Sequence, residues 1–527
     1  MAQRRHNFIS GAAVLALAVA VTKVLGALYK IPLGNLLDKE GMAHFYAAYN
    51  IYNLLLVLST AGLPLALSRL VSRAAAQGRR NAQRRIFRTA LALLAVIGAA
   101  CSAVMCLFPQ VLSGLLHDSL AAPAIRTLGP AVLFVCLTSA IRGYTQGLGD
   151  MTPTAVSQMT ESAGKLVIGL ALCLVLLHRG AGSSLCAAGA IAGVTAGSLL
   201  SLTVLTVFLL RRRDRAAVDV PPARSAVLRE LLTAGIPITL GAAGMSLITL
   251  LDQALVMSTL QNTLGYTEAA ATALYGEYTF GMTLFALPPS FIYPVTVSLV
   301  PDISAALARG DRPAAGRSAA AALKLTTLIA LPTGAGLSVL AGPILRLLYP
   351  AVPDTAAAAA YHLTILGIAC IFVCLMVATN GVLQAYGKEY IPVVTLLCGG
   401  ILKIITNYLM VGDPATNVRG APVSTLYCYG LIVVLNLIAI ARCVPERPSY
   451  LRLFARPVLI TAVMALAARS SYGLLARSLP ERWAVLPAIA VAVVVYGVLV
   501  LALGAVTRQD VLDLPKGEKI ARMLHLH

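Results

Sequence analysis

Apolar stretches of about one bilayer crossing each follow one another along almost the whole 527-residue chain. They fall near 9–31, 44–70, 87–108, 127–147, 154–177, 185–210, 230–258, 271–299, 321–345, 359–385, 391–411, 420–441, 455–475 and 484–506. A helix needs roughly 20 apolar residues to cross about 30 Å of hydrocarbon, so the pattern predicts an all-α integral membrane protein with about fourteen spans. The second, seventh and eighth stretches are longer than one crossing, which predicts tilt, kinks or interfacial ends. Pro64, Pro237, Pro288, Pro289, Pro294 and Pro332 lie within spans, where neighbouring helices satisfy the carbonyls that proline frees.

The polar positions sort by side. One set of alternate connections holds Arg73, Arg79, Arg80, Arg84, Arg85 and Arg88, then Arg211, Arg212, Arg213, Arg215 and Arg224. Arg309, Arg312 and Arg317, and then Arg442, Arg447 and Arg452, continue the same set. The other set carries mostly single charges: Lys39, Arg126, Arg179, Arg346 and Arg419, with the pair Arg477 and Arg482. The positive-inside rule therefore predicts that both termini lie in the cytoplasm.

Composition agrees. Hydrophobic residues make up 58% of the chain and charged ones 12%, against about 25% charged in a soluble domain. The net charge of +20 lies in short segments between apolar runs, which argues for membrane topology and against nucleic acid as a partner. Arg4 and Arg5 precede an apolar stretch as in a signal peptide. Lys23 interrupts that stretch and no small-residue cleavage site follows, so it is expected to remain as the first helix. The ten cysteines lie mostly within apolar runs, Cys370 and Cys374 on one helix face, and read as small packing residues.

An internal echo relates two parts of the chain. Gly143, Gln146 and Gly149 match Gly381, Gln384 and Gly387 at one offset, and Lys165 and Lys403 repeat that offset. Pro64–Ser68 resembles Pro294–Ser298 at a similar one. The matches predict two homologous six-helix lobes, 1–215 and 225–443, followed by a helix pair at 450–510 and a cytoplasmic tail at 511–527. Six spans is an even number, so the lobes form a parallel repeat with the binding site between them.

A charge at mid-depth in the bilayer is costly and marks a cavity or a pathway. Lys23, Lys165 and Lys403 are placed there, with Lys30 two turns beyond Lys23 and near enough to the outer boundary to snorkel. Glu161 is one turn from Lys165 and is expected to pair with it, and Asn407 is one turn from Lys403. Arg69 and Arg142 fall toward the cytoplasmic ends of their spans, where a long side chain can snorkel. Asp252 and Glu277 fall in the outer parts of theirs. Basic groups outnumber acidic ones, which favours phosphate or pyrophosphate. Tyr29, Asn50, Asn53, Gln146, Tyr275, Tyr278, Asn380 and Gln384 are candidates for holding a sugar.

Several of these segments resemble a known family. Thr22–Gly26, Gly62-Leu63-Pro64, Arg142–Gly147, Leu274-Tyr275-Gly276 and Leu383–Gly387 are similar, in order, to the polysaccharide-transporter branch of the multidrug/oligosaccharidyl-lipid/polysaccharide (MOP) exporter superfamily, which includes stage V sporulation protein B and the MurJ-type flippases. The resemblance implies a fourteen-helix fold with two six-helix lobes, a lipid-tail groove involving the last two helices, and alternating access around a cationic cavity. It also implies that basic residues of the first span matter; Lys23 and Lys30 stand at comparable places. Glu277, with no cation nearby in its span, departs from the flippase pattern.

The expected function is translocation of an undecaprenyl-pyrophosphate-linked saccharide, lipid II or a related envelope precursor. Its cavity residues are expected to be Lys23, Lys30, Arg69, Arg142, Gln146, Glu161, Lys165, Glu277, Gln384, Lys403 and Asn407. Partners are then the lipid-linked substrate, membrane lipids and cell-wall or spore-cortex synthesis enzymes, with no cofactor. The alternatives are a cation-coupled multidrug exporter, which wants intramembrane carboxylates, and a polyprenyl-phosphate enzyme. A metal-dependent enzyme of that kind would need clustered aspartates to hold the ion, and none is present in the sequence.

Overall fold

The structure is a computed structural model that describes residue 18 and residues 21–22, 24–211, 219–444 and 449–505, without the side chains of 237, 240, 241, 293–302 and 452. Lys23, most of the predicted first span and the predicted tail lie outside the described residues. The described part is helical throughout, without a strand. In chain order the helices are α1 (24–36), α2 (Lys39–Thr60), α3 (Leu63–Ala76), α4 (Arg80–Leu107), α5 (Pro109–Leu115) and α6 (Ala122–Gly147). Next come α7 (Thr152–His178), α8 (Ser183–Arg211), α9 (Arg224–Ser258), α10 (Glu268–Phe285), α11 (Leu287–Ala308) and α12 (Arg312–Val339). The last six are α13 (Ala341–Leu348), α14 (Pro353–Ala385), α15 (Tyr390–Val411), α16 (Gly420–Cys443), α17 (Tyr450–Leu475) and α18 (Val485–Ala502).

Among the described residues, 12 helices are long and apolar enough to cross a membrane. Two of the three over-long stretches break. The second divides at Ala61–Gly62, with Pro64 in the first turn of α3. A Cβ on Gly62 would meet the Gly235 carbonyl oxygen at 2.0 Å, and the Gly62 amide donates to Thr239 Oγ1 at 3.2 Å, so the break lets α9 come against the chain there. The eighth divides between α10 and α11, where Pro288 and Pro289 occupy the first turn of α11 and supply no N–H to continue the helix. The seventh is one unbroken helix, α9.

Two compact units contain these helices, one comprising Met1–Thr279 and Asn407–Val418, the other Phe280–Thr406 and Arg419–His527. The chain passes from one to the other within α10, within α15 and again at Val418–Arg419, just before α16. Compactness thus divides the chain at other points than the sequence repeat does.

In the first unit the connections alternate between two rims. On the arginine-rich rim Arg73 pairs with Glu230 at 2.9 Å. The Asp219 carboxylate accepts from the amides of Asn81 and Ala82 at 2.8 and 3.0 Å, capping the exposed N–H groups at the start of α4. Burial alone pushes this carboxyl up, but those amides outweigh it and hold it below the usual carboxylate range. The cap therefore stabilises the fold above that range and is lost in acid as the group protonates. On the opposite rim Ser183 donates to Asp38, Ser119 to Glu268 at 2.6 Å, and Gln261 to the His117 carbonyl at 2.7 Å. Buried His44 and Asp118 pair there as well, Nδ1 to Oδ2 at 2.9 Å.

The closest helix pair of the first unit is α7 on α8. Gly189, Gly193 and Gly197 recur every fourth residue along α8, the small-residue spacing that lets membrane helices meet backbone to backbone. A Cβ on Gly193 would lie 2.3 Å from Gly169 Cα, and one on Gly197 would lie 2.5 Å from the Glu161 carbonyl oxygen. Helix α7 carries Glu161 and Lys165, so this contact fixes where both charges stand. Gly193→Val should force the helices apart and lower the thermal unfolding midpoint by several degrees in detergent, a cost of about 1–3 kcal/mol for overpacking. Gly180→Ala, at the exposed α7–α8 turn, tests another property, because its φ of +71° makes the cost local strain and should leave the helix contact unchanged.

Candidate functional site

The embedded charges of the first unit gather on one set of elements. From α6, Arg142 reaches toward α7 and α8: Nη2 lies 2.9 Å from Glu161 Oε2, Nε donates to Ser157 Oγ at 2.9 Å, and Nη2 donates to Ser201 Oγ at 3.0 Å. Ser157 and Glu161 are one turn apart on α7, so both face the guanidinium. Glu161 therefore pairs with Arg142, not with Lys165 as its spacing predicts. A planar fork that serves three acceptors at once outcompetes a point-charge ammonium on a flexible stem. Nor does Arg142 snorkel: its side chain is only 13% exposed.

Lys165, released from Glu161, stands over the Tyr29 ring at 5.5 Å from the centroid. Lys30 lies among tyrosines. Its Nζ donates to Tyr46 Oη at 3.3 Å and sits 4.7 Å and 5.3 Å from the Tyr46 and Tyr49 ring centroids. Both lysines are within the ~6 Å at which a cation is drawn to an aromatic face. The rings connect the charges. Phe45 meets Tyr29 at 6.0 Å and stacks on Tyr49 at 5.9 Å, and Tyr49 meets Tyr52 at 5.8 Å. Tyr52 in turn interacts electrostatically with Glu161 and Arg142. Three cations and one carboxylate thus share an aromatic-walled site built from α1, α2, α6, α7 and α8. The sequence signals singled out the charges but missed the tyrosine wall of α2, since Tyr46, Tyr49 and Tyr52 read as ordinary buried aromatics.

The remaining predicted residues stand elsewhere. Arg69 is exposed on α3, and Gln146 donates to Thr154 at 3.2 Å, tying α6 to α7. Glu277 pairs with Lys39 at 3.1 Å on the rim opposite the arginines, where Gly276 lets the Lys39 backbone pass. Asn407 donates to buried Asp252 at 2.9 Å. Gln384 is exposed and Lys403 buried, both in the second unit, so Lys165 and Lys403 belong to different compact units. Several candidate sugar ligands serve the fold: Tyr29 donates to the Ala190 carbonyl at 2.8 Å, Asn50 to Gln253 at 2.7 Å, and Asn53 to Ser246 at 3.1 Å.

The second unit contains a counterpart of the arginine node. Asn436 of α16 donates to Asn380 at 2.8 Å and to Thr379 at 3.0 Å on α14, and accepts from Thr395 of α15 at 2.8 Å. Asn380 and Thr395 stand at the repeat offset from Arg142 and Ser157. The same three-helix joint is thus built twice, charged in the first unit and neutral in the second.

Comparison with known proteins gives the family of the chain. The profile described as "Polysaccharide biosynthesis protein" matches residues 8–307, more than half of the chain. The chain belongs to that family. A second profile, MatE, matches residues 237–409. The uncharacterized membrane protein YabM of Bacillus subtilis (strain 168) is 26% identical over 99% of this chain and 97% of its own length. Stage V sporulation protein B of the same organism is 24% identical over 84% of this chain and 85% of its own. The lipid II flippase MurJ in an inward closed conformation superposes with a TM-score of 0.71 at 14% identity, covering 94% of this chain and 98% of that one. The MOP fold and the polysaccharide-transporter branch expected from the motifs are both borne out. In this polysaccharide biosynthesis protein the charged joint lies within the stretch that the family profile covers.

The arginine node makes an energetic prediction. Removing one partner of a buried ion pair strands the other charge at a cost of about 3–5 kcal/mol, whereas an apolar pair of similar volume is often close to neutral. Glu161→Met alone should therefore lower the unfolding midpoint more than the double change Arg142→Met/Glu161→Met. Thermal melts of wild type and the two variants check this, and a double variant that melts at or below Glu161→Met would contradict it.

Proposed function

We propose that the chain is a flippase that moves a lipid-linked saccharide across the cytoplasmic membrane, with the anionic phosphate part of the cargo received by the site of Lys30, Lys165, Arg142 and Glu161. The observation that carries the reading is the imbalance of charge: among the described residues of the site, three cations stand against one carboxylate. In a low-dielectric surrounding such a cluster attracts phosphate strongly, and the Tyr46 and Tyr49 rings offer faces for a sugar. Among the described residues Lys30 and Lys165 face tyrosines and not carboxylates, so a phosphate displaces cation–π contacts and the Tyr46 hydrogen bond to reach them. Arg142 gives three of its five N–H donors to Glu161, Ser157 and Ser201, and so positions Glu161 and α7 while adding its charge to the site. The names of relatives, a lipid II flippase and a sporulation protein among them, support cargo of this class.

The reading includes an orientation, with the arginine-rich rim in the cytoplasm. A cation-coupled multidrug exporter is the second reading, favoured by the MatE match. A pump of organic cations wants net negative charge at its site, and this one is net positive.

Proteoliposomes carrying a fluorescent undecaprenyl-pyrophosphate saccharide test the proposal. A hydrogen bond to a charged group contributes about 1.5–3 kcal/mol, so Lys30→Met and Lys165→Met should each slow flipping by about tenfold or more. Flipping at the wild-type rate in both variants would defeat the reading. Efflux of an organic cation that survives both lysine changes and is lost in Glu161→Gln would favour the exporter.

A further inference from the structure

The last turns of α8 and the α6–α7 turn enclose a cavity of about 660 Å³ in the first unit. That size falls within the roughly 300–1,000 Å³ of pockets that enclose a small organic ligand. The cavity lies toward the arginine-rich rim from the Arg142 node, on the same three helices: Thr145 follows Arg142 by one turn, Pro153 precedes Ser157 by one, and Thr203 follows Ser201 closely.

The lining is divided by chemistry. Val204, Val207 and Phe208 of α8 form an apolar wall, with Val207 and Phe208 42% and 43% exposed. Two charged residues also line it, Asp150 and Arg211. Asp150 is engaged within the chain, since its Oδ1 accepts from the Thr152 amide at 3.1 Å at the start of α7, where the helix dipole favours a negative charge. Arg211 is exposed at the last residue of α8 and has no ion-pair partner among the described residues. The result is an apolar slot at the end of a membrane-spanning helix with an available cation at its mouth.

We infer that this slot binds one acyl chain of an anionic membrane phospholipid, whose phosphate rests on Arg211. Charge selects the occupant. A zwitterionic lipid gains little from a guanidinium, whereas an anionic headgroup accepts a charge-assisted pair of hydrogen bonds from it. The apolar wall takes the chain, and the interfacial position lets the lipid enter from the bilayer. A bound lipid spans the α6–α7 turn and α8 and braces the three helices that carry the arginine node. The inference does not depend on the cargo of the cation site.

Native mass spectrometry of the full-length protein from mild detergent, incubated with phosphatidylglycerol or phosphatidylcholine of matched chains, tests it. Wild type should retain one phosphatidylglycerol, about tenfold in preference to phosphatidylcholine. Thr203→Trp, which fills the slot, should abolish retention. Arg211→Gln, at a helix end where folding is tolerant, should erase the preference between headgroups while melting as wild type does. Equal retention of the two lipids by wild type would overturn the inference, as would retention unchanged in Thr203→Trp. Displacement of phosphatidylglycerol by equimolar polyprenyl phosphate would overturn it too, by assigning the slot to a cargo tail.

Discussion

Arg142 brings a permanent charge into a bundle whose surroundings are hydrocarbon, and the layout of the first unit follows from how that charge is satisfied. One carboxylate and two serine hydroxyls, contributed by two neighbouring helices, take its donors. Their arrival at hydrogen-bonding distance requires α7 and α8 to touch almost backbone to backbone, which only the glycines at 169, 193 and 197 allow. Small residues and a polar node are thus two parts of one device. Packing brings the helices together, and the guanidinium fixes their register. With Glu161 committed to Arg142, Lys165 faces the Tyr29 ring, and the described part of the site keeps its positive character.

Duplication of this joint clarifies what charge contributes. In the second unit Asn380, Thr395 and Asn436 make a neutral version in which the Asn436 amide both donates and accepts. Helix joining therefore does not require an ion pair in this architecture. The charged version persists in the unit where Lys30 and Lys165 also stand, which fits a requirement for field as well as for packing. Asp252 and Asn407, buried and hydrogen-bonded to one another, form a separate polar centre of the first unit.

The helical, many-span architecture was legible because hydrophobic length is a direct consequence of bilayer thickness, and the embedded charges were legible because each is an anomaly against an apolar background. Partner choice was not. Glu161 and Lys165 have the spacing of a pair, yet α6 brings Arg142 between α7 and α8, and tertiary contact overrides spacing along one helix. Lys30 read as a boundary residue because counting residues cannot reveal the tyrosines of α2 around it. The α7–α8 glycines were visible as letters but carried no meaning until the helix they face was known. Asn50, Asn53 and Gln146, read as sugar ligands, spend their amides on neighbouring helices, because buried polar groups find partners within the fold first.

The account stands on one physical claim, that the lysines and the arginine of the first unit form an anion site. Equilibrium binding of undecaprenyl pyrophosphate to the purified chain, followed across a salt titration, addresses it most directly. Binding should weaken as salt rises, favour the pyrophosphate over the uncharged polyprenol, and fall about tenfold or more when Lys30 and Lys165 are both replaced by methionine. Affinity indifferent to salt and to both lysines would contradict the claim.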